Sequence, residues 1–147
     1  MNLVDAGPLI ALIDRGQQEA HRRCLTVLES LSGPLVTTWP CLTEAMYFLG
    51  DLRGWPGQLG LWRFLERRAL LLHAAEAEET RTQALMEQYQ NVPMDLADAS
   101  LVAAAEMTGL RRIFTLDSDF HVYRIHGREA FAVVHDLRNM ILPNMIP

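Results

Sequence analysis

The stretch NLVDAGPLIALID, Asn2 to Asp14, decides the fold class. Its first four residues read as a short buried strand, 2–5. Gly7-Pro8 then suits the first turn of a helix, where a missing N–H leaves nothing unpaired. A strand that runs straight into a helix is half of a β-α-β unit, and the rest of the chain repeats the pattern. Helical spacing over 18–32 places Ala20, Cys24, Val27, Leu28 and Leu31 on one face until Gly33-Pro34 ends it, and the strand LVTT follows at 35–38. After Trp39-Pro40 comes a helix over 41–52, after Trp55-Pro56 another over 57–68, and then the apolar strand LLLH at 70–73. A polar helix over about 76–90 leads to a helix over 96–108 that ends at Gly109. The strand RRIFT, the loop or short turn LDSDFHVYR and a last strand AFAVV close the series. Such alternation specifies an α/β fold with a largely parallel sheet and helices on both faces. Ligands of these folds bind at the carboxyl ends of the strands.

The chain has 147 residues, 50% of them hydrophobic, enough for one substantial core, and residues 1–147 read as a single domain without repeats or linkers. The first residues lack the positive start of a signal peptide, and the apolar run after Asp5 is too short to span a bilayer. No membrane role and a cytoplasmic location are expected. Cys24 and Cys41 stand without ligand spacing, which supports neither a zinc site nor a redox pair; both read as buried small hydrophobes. The net charge of −5 opposes polyanion binding by bulk electrostatics but says little about a local site. All 13 basic side chains are arginine. The lack of lysine disfavours Walker-type NTPases, Schiff-base enzymes and phosphoaspartate sites that depend on one.

The acids fall where the fold rule directs attention. Asp5 closes the first strand, where it can cap the following helix or project into the crevice. Glu44 shares a helix face with Cys41, Tyr47 and Phe48, and an ionised carboxylate among apolar neighbours calls for a charged partner, a metal or a pKa shift. Asp95 and Asp98 in PMDLADASLVAAA resemble a capping box, so Asp95 reads as the cap and Asp98 as the residue that faces the crevice. Asp117 follows a strand in TLDSDF, which brings it to the same edge as Asp5, while Asp119 fits ordinary turn chemistry. Acids converging from strand ends and helix starts repel one another and are tolerated mainly around a cation. An all-oxygen set suits Mg²⁺ or Mn²⁺.

Taken together, LVDAGPLIALID, Glu44 in LTEAMYF, MDLADASLVAAA and IFTLDSDFHVYRIHG resemble, in order and spacing over nearly the whole chain, the PIN-domain ribonuclease family. The likeness is to its small VapC-like toxins of bacterial toxin–antitoxin pairs in particular. The resemblance implies a PIN-like three-layer sandwich with a central parallel sheet, and an acidic quartet of Asp5, Glu44, Asp98 and Asp117 that is both catalytic and metal-binding. Asp95 and Asp119 would be auxiliaries, with Thr115 supporting the turn. The family often carries Ser or Thr after the first Asp, where this chain has Ala6, so one hydroxyl near the site is missing. The resemblance further implies homodimers and an antitoxin partner.

The function expected on these grounds is metal-dependent hydrolysis of RNA phosphodiester bonds by a toxin–antitoxin endoribonuclease using Mg²⁺ or Mn²⁺. Arg15, Arg111, Arg112 and Arg124 are the candidate RNA contacts, from their nearness in sequence to the motifs. The alternative is a catalytically inactive PIN-like module that binds RNA or protein through the same crevice. A phosphoaspartate protein, such as a receiver or a haloacid dehalogenase-like phosphatase, is a third reading, opposed by the missing lysine and by the lack of DxD after the first strand. The five histidines read as surface or structural. Trp55, Leu61, Trp62 and Leu65 read as a ridge in which the tryptophans pack the core and a dimer or antitoxin surface sits, together with the apolar tail MILPNMIP.

Overall fold

In the computed structural model, which describes residues 1–74 and 77–134, strands and helices alternate from the start. β1 (Asn2–Val4) leads into α1 (Ala6–Ile13) and α2 (Gln18–Ser30), and β2 (Leu35–Thr38) into α3 (Trp39–Arg53) and α4 (Trp55–Glu66). β3 (Leu70–His73) precedes α5 (Glu79–Gln88) and α6 (Leu96–Thr108), which is followed by β4 (Arg112–Phe114), a 3-10 turn at Ser118–His121, β5 (Arg124–Ile125), β6 (Glu129–Ala130) and β7 (Ala132–Val134). The main sheet runs β3-β2-β1-β4-β7 with every pair parallel, and β5 and β6 form a separate antiparallel hairpin. This is the PIN-like α/β three-layer sandwich.

β1, β2 and β4 carry buried apolar residues on both sides because helices cover both faces of the sheet. Leu3, Val36 and Ile113 join a core with α5, α6 and the aromatic residues Phe120, Tyr123 and Phe131. The alternate residues Val4, Leu35 and Phe114 join a second core with α1, α2, α3 and α4. Period-2 side-chain alternation thus divides one hydrophobic run between two cores. On α6, Ala97, Ala99 and Ala103 to Ala105 are buried, and their small side chains let this helix approach its neighbours closely. Gly109 ends α6 at φ +78, a left-handed C-cap that glycine adopts without strain. No helix among the described residues is long and apolar enough to cross a membrane.

Four local features depart from the sequence reading. α3 and α4 each begin two residues earlier than expected, at Trp39 and Trp55, because Pro40 and Pro56 fit within a first helical turn rather than before it. α5 begins only at Glu79, after Ala77 adopts φ +61, a value no α-helix accommodates. The β5-β6 hairpin at 124–130 meets the run read as a loop or short turn, 116–124, only at Arg124 and takes Ala130 from the strand read at 130–134; its turn places His126 at φ +52 and Gly127 at φ +69, the left-handed values of tight hairpin turns. Two-residue strands carry too short a pattern to be seen in the sequence. The fourth concerns the tryptophans. Leu61 is buried as expected, but Trp55 is 60% and Trp62 40% exposed, since both lie on the outer side of α4. Core packing therefore does not account for them. His135 and the tail at 140–147 lie outside the described residues.

Candidate metal centre

Asp5, Ala6, Gly7, Glu44, Asp95, Asp98, Leu116 and Asp117 line a cleft of about 280 Å³ over the carboxyl ends of β1 and β4. The local backbone explains how each acid arrives there. Asp5 stands one residue past β1 and caps α1, its Oδ1 accepting the Ala6 N–H at 2.8 Å. Its Oδ2 accepts from the Thr115 hydroxyl at 3.0 Å. The same Thr115 oxygen accepts the Asp117 N–H at 3.0 Å, so one buried threonine fixes two acids from adjacent strands. Asp117 Oδ1 in turn takes the Asp119 N–H at 2.9 Å and starts the 3-10 turn.

Asp95 is the N-cap of α6, with Oδ1 accepting the Asp98 N–H at 2.8 Å. Only half of a reciprocal capping box forms. Instead of reaching back, Asp98 Oδ2 accepts from the Tyr123 hydroxyl at 2.9 Å. Tyr123 is fully buried and held edge-on between Tyr89 and Phe120, each with ring centroids 5.1 Å away. Burial first, and then the Asp98 carboxylate, push the Tyr123 phenol well up, which keeps it a proton donor. Sequence reasoning did not find this residue. It lies 25 positions from Asp98 in a segment read as loop, and only the tertiary fold joins the two.

The electrostatics are those of crowded anions. Asp98 is 6% exposed, and desolvation followed by the charges of Asp95, Asp5 and Asp117 raises its carboxyl to about 7, against the opposing hydrogen bond from Tyr123. Desolvation raises Asp5 as well, with Asp117 and Asp95 adding to it and the bonds from Ala6 and Thr115 opposing. Glu44, half-buried, is raised by desolvation and then by Asp5 and Asp95. Asp119 is raised by desolvation and by Asp117. Among the described residues, no arginine or histidine lines the cleft.

One carboxylate oxygen from each of Asp5, Asp98 and Asp117 lies within 4.8 Å of the others. Oxygen ligands of one octahedral Mg²⁺, at about 2.1 Å from the ion, stand about 3 to 4 Å apart, so this set fits a hard divalent cation. The nearby sulfur does not change the donor set. Burial first, and then the Asp5 charge, push the Cys41 thiol up to about 12, which leaves it neutral.

The structure therefore brings Asp5, Glu44, Asp95, Asp98 and Asp117 to one cleft, with Thr115 behind them and Asp119 bonded to Asp117. It does not bring the four arginines there. Arg111 and Arg112 stand at the amino end of β4, the sheet edge opposite the cleft, and Arg111 pairs with Glu129 at 3.5 Å. Arg15 lines a separate hollow with His21 and Arg22. Arg124 Nη1 donates to the carbonyls of His121, Val122 and Tyr123, at 2.8, 3.3 and 3.0 Å, and so braces the turn that carries Tyr123. For Arg111 and Arg112, nearness in sequence did not mean nearness to the site, because a parallel strand puts its two ends at opposite edges of the sheet. The histidines are as expected in part: His21 Nδ1 bonds to the Ala11 carbonyl at 2.8 Å, a structural tie between α1 and α2.

Two solved structures share this architecture. The Mycobacterium tuberculosis toxin VapC20, described as cleaving the sarcin–ricin loop, is similar with a TM-score of 0.75 at 16% identity, over 83% of this chain and 94% of its own. A chain of a toxin–antitoxin complex from Klebsiella pneumoniae is similar with a TM-score of 0.65 at 19% identity, over 91% of this chain and 96% of its own. Neither a protein-family model nor a curated protein matches the chain. At such identities the likeness establishes the fold.

Proposed function

We propose that this chain, whose fold is that of VapC-type PIN proteins, is a metal-dependent endoribonuclease in which Asp5, Glu44, Asp98 and Asp117 hold one or two Mg²⁺ or Mn²⁺ ions. The observation that carries this reading is the convergence of three carboxylates within 4.8 Å in a cleft that, among the described residues, is lined by no cationic side chain. Crowded, partly desolvated carboxylates are costly unless a cation neutralises them. Bound there, such an ion supplies an activated water and stabilises charge on a phosphoryl oxygen.

The chain's own residues do the positioning. Thr115 orients Asp5 and, through the Asp117 N–H, the start of the turn after β4. The Tyr123 hydroxyl occupies one lone pair of Asp98 Oδ2, which sets its rotamer and leaves Oδ1 for an ion. Asp95 holds the first turn of α6 that presents Asp98, and adds negative charge from the rim. RNA is the substrate class this reading assigns, supported by the fold shared with a toxin described as cleaving the sarcin–ricin loop. The fold shared with a chain of a toxin–antitoxin complex supports an antitoxin as partner. The exposed apolar residues Tyr47, Phe48, Leu52, Trp55 and Trp62 of α3 and α4 are the surface we assign to that partner or to a homodimer.

The test is cleavage of single-stranded RNA by the purified chain. Fragments are expected with Mg²⁺ or Mn²⁺, none with excess EDTA, and restored cleavage on adding the metal back. Cleavage that persists undiminished in EDTA and in Asp5→Asn would overturn the assignment.

A further inference from the structure

A second and larger hollow, about 680 Å³, opens on the same sheet edge beside the acidic cleft, beyond the ends of β2 and β3. The two share their walls. α3 presents Trp39 and Pro40 to the groove and Glu44 to the cleft, while α6 presents Leu96 and Ser100 to the groove and Asp95 and Asp98 to the cleft. Pro40 and Glu44 stand four residues apart on one face of α3, about 6 Å along its axis, so the hollows adjoin along that helix. At the mouth of the groove Trp39 and Leu96 are each 53% exposed, a large apolar surface left in water next to the proposed reaction site. Its floor is fixed by a buried hydroxyl pair, Thr38 Oγ1 and Ser100 Oγ at 2.6 Å. The far wall carries Glu78, bonded to His73 at 3.0 Å, and Glu79.

We propose that this groove is a nucleobase subsite, in which Trp39 stacks the base of a nucleotide that flanks the phosphate in the acidic cleft. The inference rests on the nuclease reading for that phosphate, and it names which part of a single-stranded RNA the groove takes. Charge decides between base and backbone. The carboxylates of Glu78 and Glu79 repel a phosphate, whereas they can accept N–H groups from a base edge. Every base has a face that an exposed indole can stack, so the subsite adds affinity without demanding one sequence. Continuity with the cleft favours the RNA strand over a peptide, because a bound strand must leave the cleft along its walls.

The experiment labels the chain with 5-fluorotryptophan and assigns the three fluorine signals with Trp39→Phe, Trp55→Phe and Trp62→Phe. Titration with adenosine and cytidine, which carry no phosphate, is expected to shift the Trp39 signal and to leave those of Trp55 and Trp62 in place; inorganic phosphate is expected to shift none. In RNA cleavage, Trp39→Ala is expected to raise KM about 5- to 100-fold with kcat within about threefold, and Trp39→Phe to restore most of the loss. Mn²⁺ affinity is expected to be unchanged in both variants, which shows the cleft intact. Nucleosides that leave the Trp39 signal unmoved, or move all three alike, overturn the subsite, as does an unchanged KM in Trp39→Ala. A Trp39 signal moved by an apolar peptide and not by nucleosides does so too. If nucleosides shift Trp39 but the wild type cleaves no RNA, the subsite stands and the nuclease reading falls.

Discussion

Asp98→Asn is expected to lower RNA cleavage by at least about 100-fold while raising the melting temperature of the metal-free protein at pH 8. The first effect follows from removing a proposed metal ligand, which costs more than the 10- to 100-fold typical of residues that only support one. The second has a sign that can be worked out. The Asp98 carboxyl sits at about 7 in the fold, against an ordinary value of 3.8. Between those values the folded chain holds a proton that the unfolded chain has released, so stability falls as pH rises through this window. At pH 8 the penalty is complete, with a ceiling of about 4 kcal/mol from the size of the rise. Asparagine removes the charge and keeps an oxygen that can accept from the Tyr123 hydroxyl. A rise of about 3 to 8 °C is the expected thermal shift. Asp95→Ala is expected to behave in the opposite way, losing about 1 kcal/mol with the helix cap and retaining most of the cleavage. Parallel melting curves and cleavage rates for the two variants check this contrast. Equal losses of activity with equal losses of stability would show that both residues are structural.

Mn²⁺ is expected to raise the melting temperature more at pH 8 than at pH 6. In the metal-free protein the raised carboxyls of Asp5, Glu44 and Asp98 all make the fold less stable as they ionise, and Asp95 and Asp117 add to the repulsion. Metal-free stability should therefore decline from pH 5 to pH 8. A bound divalent cation reverses this, since it favours the ionised forms. At 100 times its dissociation constant an ion that binds only the folded state contributes about 2.7 kcal/mol. At pH 6, one unit below the Asp98 value, the ion must displace a proton, and its apparent affinity falls about tenfold. Thermal melts at pH 6 and pH 8, with and without Mn²⁺, read the difference directly. An increment independent of pH would mean that these carboxylates do not hold the ion.

The order of elements was legible because the chain alternates buried strands with amphipathic or alanine-rich helices, and α6 has the limits its sequence implies, from the residue after Asp95 to the one before Gly109. The acids were legible for a related reason: in a parallel sheet, residues that follow strands share one edge, and this placed Asp5 beside Asp117. What supports those acids was hidden. Tyr123 reaches Asp98 across 25 residues, and the ring contacts that hold it are tertiary. Arg111 and Arg112 fall at the far end of β4 because sequence distance ignores which end of a strand a residue occupies. Trp55 and Trp62 were misread because α4 turns their side outward, and no residue-type rule states which face of a helix meets the sheet.

The convergence of carboxylates on one cation is the central claim, and calorimetric titration of Mn²⁺ into the metal-free protein at pH 8 addresses it most directly. Saturable binding of one or two ions is expected for the wild type, with affinity at least about tenfold weaker in Asp5→Asn and in Asp98→Asn. A wild type that takes up no ion, or variants that bind as tightly as the wild type, would contradict it.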